Sequence, residues 1–151
     1  SFTGRKRRGM PMEFELGLSM PFTSLCPCSK EISSYGAHNQ RSRARVRLRF
    51  HAGVPCIYIE DLAKLLEQQG SAPIYPLLKR EDEKYVTEKA YEQPKFVEDI
   101  LRDLVLALRP LPGLFWFSLS CENFESIHNH SAYASHEEYV NCEARTAGKE
   151  Q

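Results

Sequence analysis

Arg43-Ala44-Arg45-Val46-Arg47-Leu48-Arg49-Phe50 alternates arginine with an apolar residue at every step. Successive side chains of a strand point to opposite faces, so this run puts its arginines on one face and Ala44, Val46, Leu48 and Phe50 on the other. A helix would scatter the same residues around its circumference. The run therefore predicts a strand with one face on a core and one in water.

Working outward, Met12-Glu13-Phe14-Glu15-Leu16-Gly17-Leu18-Ser19-Met20 has the same period and reads as a strand before it. Leu114 to Cys121 reads as a third strand, and His128 through Tyr133 toward Tyr139 as a fourth. Between them the period changes. Ile59, Leu62, Leu65 and Leu66 form a helical stripe with Gly70 as its stop. Pro94 opens a second helix with the stripe Val97, Ile100, Leu101, Leu104 and Leu108, closed by Pro110 and Pro112. Residues 71–93 are charged and read as less regular. The order strand, strand, helix, helix, strand, strand predicts an α+β fold, an antiparallel four-stranded sheet with both helices on one face. A single module is expected over residues 11–140, after a flexible basic lead-in at 1–10 and before a polar tail at 141–151.

Bulk properties narrow the function classes. With 151 residues, one core can form without staples. The 20 basic and 20 acidic residues cancel, so overall charge draws the chain neither to nucleic acid nor to an anionic membrane. No apolar run approaches the ~20 residues of a membrane span. The basic start lacks an apolar stretch behind it, so no signal peptide is expected. Cysteines at 26, 28, 56, 121 and 142 are odd in number and without framework spacing. Reduced thiols and a cytoplasmic setting are expected.

The polar, turn-rich stretch 21–42 reads as a long loop, and such loops are usually functional. It holds Cys26-Pro27-Cys28-Ser29-Lys30 and Gly36-Ala37-His38-Asn39-Gln40-Arg41, and Ser126-Ile127-His128-Asn129-His130 follows near the far end. A thiolate with imidazoles suits a borderline divalent metal. The residues are too scattered for a zinc finger and look more like a catalytic centre. In extended backbone Cys26 and Cys28 point opposite ways, so Cys26 is taken as the ligand and Cys28 as packing or support. The bland reading makes both small buried hydrophobes. His128 and His130 share one face of an extended segment, as metal-binding and ordinary surface pairs both do; one of them suits acid–base work. Spacing does not choose among the many carboxylates. The arginine face suits phosphates by charge-assisted bonds, or equally glutamates on a neighbouring strand or subunit.

Three long stretches carry a resemblance: MPFTSLCPCSKEISSYGAHNQRS (20–42), YPLLKREDEKYVTEKAYEQPKFVEDILRD (75–103) and CENFESIHNHSAYA (121–134). They resemble GTP cyclohydrolase type IB, a metal-dependent folate-pathway family of the tunnelling-fold superfamily. The resemblance implies a fold of two strands, two helices and two strands. It implies a homo-oligomer, expected as a tetramer, whose sheets close into a barrel with active sites at subunit interfaces. It also implies hydrolytic opening of the GTP imidazole ring, with loss of formate and formation of 7,8-dihydroneopterin triphosphate. Carried over by position, Cys26, His38, His128 and Glu83 are the metal ligands, for Zn²⁺, Mn²⁺ or Fe²⁺. Glu98 anchors the guanine edge across an interface. His130 is a proton-transfer candidate. Lys30, Arg41 and the arginine strand are contacts for the triphosphate. The family's chains hold two tandem modules, of which one, the metal-bearing one, is evident here. The alternatives are a related tunnelling-fold enzyme with a pterin or cyclic-phosphate product, and a non-catalytic module clipped by zinc.

Overall fold

A computed structural model describes residues 1–6 and 12–140. Its elements are β1 (Phe2–Arg5), β2 (Glu13–Leu25), α1 (Pro27–Ile32), β3 (Asn39–His51), α2 (Ile59–Glu67), α3 (Arg80–Glu92), α4 (Val97–Leu108), β4 (Leu114–Asn123) and β5 (Ala132–Tyr139). The strands form one antiparallel sheet in chain order, β1-β2-β3-β4-β5. The α+β class and the helices on one sheet face are as the sequence predicts.

The alternation in β3 decides which face is which. Ala44, Val46, Leu48 and Phe50 are buried, and the arginines between them point away. Leu62 and Leu66 of α2 and Ile100, Leu104 and Leu108 of α4 pack on the apolar side, all fully buried. Each such side chain contributes ~1.5–3 kcal/mol by leaving water. Leu119 and Phe117 of β4 complete the layer. One irregularity matters: Arg49 pairs with Trp116 but Phe50 with Leu114, so Phe115 is an extra residue. That bulge returns Leu114 to the core face opposite Phe50, while Trp116, in regular register with Arg49, stays on the arginine face, where Arg49 stacks on it at 3.9 Å.

Four expectations need correction. The sheet has five strands among the described residues, not four. The extra one is β1, inside the lead-in expected to be flexible; four residues are too few to show a period, and pairing with Glu13 to Leu16 supplies the order. Residues 7–11 and the tail from 141 lie outside the described residues. The segment 71–93, expected to be irregular, holds α3. Only Ala90 of α3 is buried, so it has almost no stripe to read. Other features hold it: Glu81, Asp82 and Glu83 in the first turn, Lys89 in the last, and Asp82 accepting the Lys79 backbone N–H at 3.0 Å. The loop expected at 21–42 shrinks to 33–38, because β2 runs on to Leu25, α1 intervenes and β3 begins at Asn39. Pro21 does not end β2. β1 reaches only Leu16, so at Pro21 one side of β2 is an edge that needs no ladder donor.

Candidate functional site

The exit of α2 positions the first expected ligand. Gly70 lies against Phe22, where a Cβ would come within 2.6 Å of the ring. The chain then pairs with β2: Ser71 N–H donates to Thr23 O at 2.8 Å, and Ser71 Oγ accepts from Leu25 N–H at 3.0 Å. With β2 pinned at Leu25, Cys26 follows as the residue that caps α1.

Cys26 and His38 meet in one corner, tied by three bonds. Cys26 N–H donates to His38 O at 3.1 Å, His38 N–H donates to Ser29 Oγ at 3.1 Å, and Ser29 N–H donates to Cys26 Sγ at 3.5 Å. Both residues are half-buried. Cys28 is exposed, so it does not pack as one of the sequence readings had it.

The third stretch reaches the same corner. Phe124 N–H donates to Arg41 O at 2.9 Å, and Ser126 Oγ lies 3.3 Å from His38 Nδ1. His128 and His130 are exposed and stack on each other, ring centroids 5.2 Å apart. Glu83 is exposed on α3. Val86, one turn further on, packs against the cluster of Leu25, Ala72 and Ala90, as does Ala37, the residue before His38. Glu83 thus stands on the helix face that docks beside the corner. Among the described residues, no three His, Cys, Asp or Glu side chains form a group able to hold a metal ion. The donor chemistry of the Cys26–His38 corner fits a borderline metal; the remaining donors expected from sequence are not gathered to it.

The other expected contacts are spread around this corner. Lys30 Nζ donates to Tyr91 O at 2.6 Å and sits 4.3 Å from the Tyr91 ring centroid, tying α1 to the end of α3. Glu98 lies exposed in the first turn of α4, in a hollow shared with Leu101, Arg102, Arg109 and His136. Along β3 the arginines divide. Arg47 and Arg49 both bond Glu15 at 2.8 Å, and Arg45 reaches Glu122 at 3.4 Å. Burial favours the neutral form of Glu15, but the two arginine hydrogen bonds outweigh it and hold its pKa below the ordinary value. Arg41 and Arg43, toward the corner, have no ion pair among the described residues.

Sequence reasoning missed a buried polar cluster behind His38, made of Ser24, Gln40, Ser42 and Asn123. A signal existed: Gln40 and Ser42 continue the inner face of β3 that is apolar from Ala44 onward. Polar residues on a core face need partners, and here they find one another.

A family model described as Type I GTP cyclohydrolase folE2 matches residues 1–134. Among curated proteins, the chain is 58% identical over 123 residues to the GTP cyclohydrolase FolE2 of Citrifermentans bemidjiense, covering 82% of this chain and 45% of that protein. It is 60% identical to the GTP cyclohydrolase FolE2 of Geotalea uraniireducens, covering 82% of this chain and 44% of that protein. With that of Geobacter sulfurreducens it shares 60% identity, over 83% of this chain and 48% of the relative. The chain thus spans about half the length of the curated relatives it matches.

Proposed function

The chain belongs to the type I GTP cyclohydrolase FolE2 family, and on that premise we propose that it is the metal-bearing part of an enzyme that opens the imidazole ring of GTP by hydrolysis. Formate leaves from C8, and 7,8-dihydroneopterin triphosphate forms, the first step of tetrahydrofolate biosynthesis. The observation that carries this reading is the corner where Cys26 N–H bonds His38 O and Ser29 bridges the two residues.

In this reading Cys26 and His38 hold a divalent metal, Zn²⁺, Mn²⁺ or Fe²⁺, with His128 and Glu83 as further ligands. Bound there, the metal supplies Lewis-acid activation of water for attack at C8. Glu98 accepts the N–H groups of guanine N1 and the exocyclic amine, a bidentate contact that adenine cannot make. His130 moves the proton to the departing nitrogen. Arg41 and Lys30 contact the triphosphate; the exposed guanidinium of Arg41, which has no ion pair among the described residues, supports its share of that role, and Lys30 retains donors beyond its bond to Tyr91. The assembly is a homo-oligomer, a tetramer, with Glu98 acting across a subunit boundary. Leu106, 57% exposed beside the Glu98 hollow, supports a covered surface there. The setting is cytoplasmic; among the described residues no helix is long and apolar enough to cross a membrane.

The test is to incubate the metal-loaded full chain with GTP and follow formate and the pterin product. Formate with 7,8-dihydroneopterin triphosphate is expected, and Cys26→Ala abolishes it while leaving the metal-free fold intact. Formate with a cyclic phosphate product would redirect the reading to a related reaction. Absence of formate, with chelator unfolding the protein, would replace it with a structural metal clip.

A further inference from the structure

We infer that Gln40 is a positioning residue that locks the His38 ring with its proton on Nδ1, leaving the Nε2 lone pair free for a metal. The inference rests on the reading of His38 as a metal ligand.

Counting donors and acceptors fixes the protons. Gln40 is 6% exposed and its side chain contacts three groups: His38 Nδ1 at 2.9 Å from Oε1, and Ser24 Oγ at 2.9 Å and Glu125 Oε1 at 3.5 Å from Nε2. Beyond Ser24 the chain continues to Ser42 Oγ at 2.7 Å and on to Asn123 Oδ1 at 2.7 Å. Asn123 Oδ1 can only accept, so the single hydroxyl hydrogen of Ser42 goes to it. Ser24 then donates to Ser42, which leaves Ser24 Oγ as an acceptor. Its donor is Gln40 Nε2. The amide oxygen of Gln40 must therefore face His38.

An amide oxygen cannot donate. At 2.9 Å, an unprotonated Nδ1 would set two lone pairs against each other, so Nδ1 carries the hydrogen. A flipped Gln40 would turn its oxygen toward the Glu125 carboxylate, which also only accepts. Both ends of the amide thus give the same orientation. Ser126 Oγ, 3.3 Å from Nδ1, is a second acceptor for the same N–H. Of the two neutral tautomers, the one with Nδ1 protonated leaves the Nε2 lone pair free, the form that binds metal. The buried end of the chain, Ser24, Ser42 and Asn123, is held by β2, β3 and β4. The proton on His38 is thereby set by the middle of the sheet.

Metal-binding imidazoles generally bond through their other nitrogen to such a partner, and removing it weakens metal affinity by roughly 10–100-fold. The test measures Zn²⁺ affinity of the full chain by chelator competition, and the His38 tautomer in the metal-free protein by long-range ¹⁵N–¹H correlation. Expected are an Nδ1–H tautomer in the wild type, a tautomer mixture in Gln40→Leu, and Zn²⁺ affinity lowered by roughly 10–100-fold in Gln40→Leu. Gln40→Glu combined with Glu125→Gln, which keeps an acceptor toward Nδ1 without setting two carboxylates together, restores affinity. A wild-type ring protonated on Nε2 overturns the inference, and this holds even if Gln40→Leu fails to fold. So does unchanged Zn²⁺ affinity in Gln40→Leu where His38→Ala weakens binding. Unchanged affinity in His38→Ala instead overturns the metal reading of His38 itself, and the inference with it.

Discussion

Removing one hydroxyl from the buried chain tests whether it holds the sheet as described. Ser42 is 1% exposed, and its Oγ lies 2.7 Å from both Ser24 Oγ and Asn123 Oδ1. Ser42→Ala leaves Asn123 Oδ1 without its donor and the Ser24 hydroxyl without its acceptor, both at buried positions. Each buried polar group left unmet costs about 1–3 kcal/mol. Local rearrangement lets the Ser24 hydroxyl find a partner more readily than the fixed Asn123 amide oxygen. The expected loss is therefore about 2–3 kcal/mol rather than the full sum of both groups. For a chain of this size that is a fall in Tm of about 4–12 °C. The assay is urea unfolding of the metal-free protein, with wild-type slope and a lowered midpoint. A paired change, Ser42→Ala with Asn123→Leu, removes donor and acceptor together and should cost less than the two single changes summed. A loss under about 0.5 kcal/mol for Ser42→Ala, the range of an ordinary surface change, would refute the reasoning.

Gly70→Ala drives a Cβ to within 2.6 Å of the fully buried Phe22 ring, so it should destabilise by about 1–3 kcal/mol, read from the same urea midpoints. Arg109 bonds, and to a lesser degree His136 bonds, lower the pKa of Glu138, as the arginine pair does for Glu15. A depressed carboxylate pKa adds stability that is complete above the unfolded value and fades as pH falls through the folded one. Stability should thus decline below about pH 4.5, and Glu15→Gln should shallow that decline in acid-unfolding curves. Burial pushes the Cys121 thiol up to about 12. In the native protein at pH 8 it should resist alkylation while exposed Cys28 and Cys56 are labelled, as peptide mass analysis will show.

The site was legible in unequal parts. Cys26 and His38 could be picked out as candidates from residue type and setting, and the family resemblance, not their spacing, proposed them as ligands. That their backbones bond each other could not be read, since it depends on β2 and β3 ending side by side. Gln40 and Ser42 passed unnoticed for a related reason. Their partners Ser24 and Asn123 lie 16–18 and 81–83 residues away in sequence, and only strand register joins them.

The fold divides the same way. Alternation along 43–50 and the stripes at 59–66 and 97–108 are products of backbone geometry repeating over a few residues, so sequence alone determined β3, α2, α4 and the face each buries. α3, held by terminal charges and capping instead of a buried stripe, and β1, too short to show a period, became visible only in three dimensions. The same holds for the bulge that returns Leu114 to the core face, and for which arginines Glu15 neutralises. Period and propensity are written within one segment; register, pairing and proton order arise between segments, and tertiary structure alone decides them.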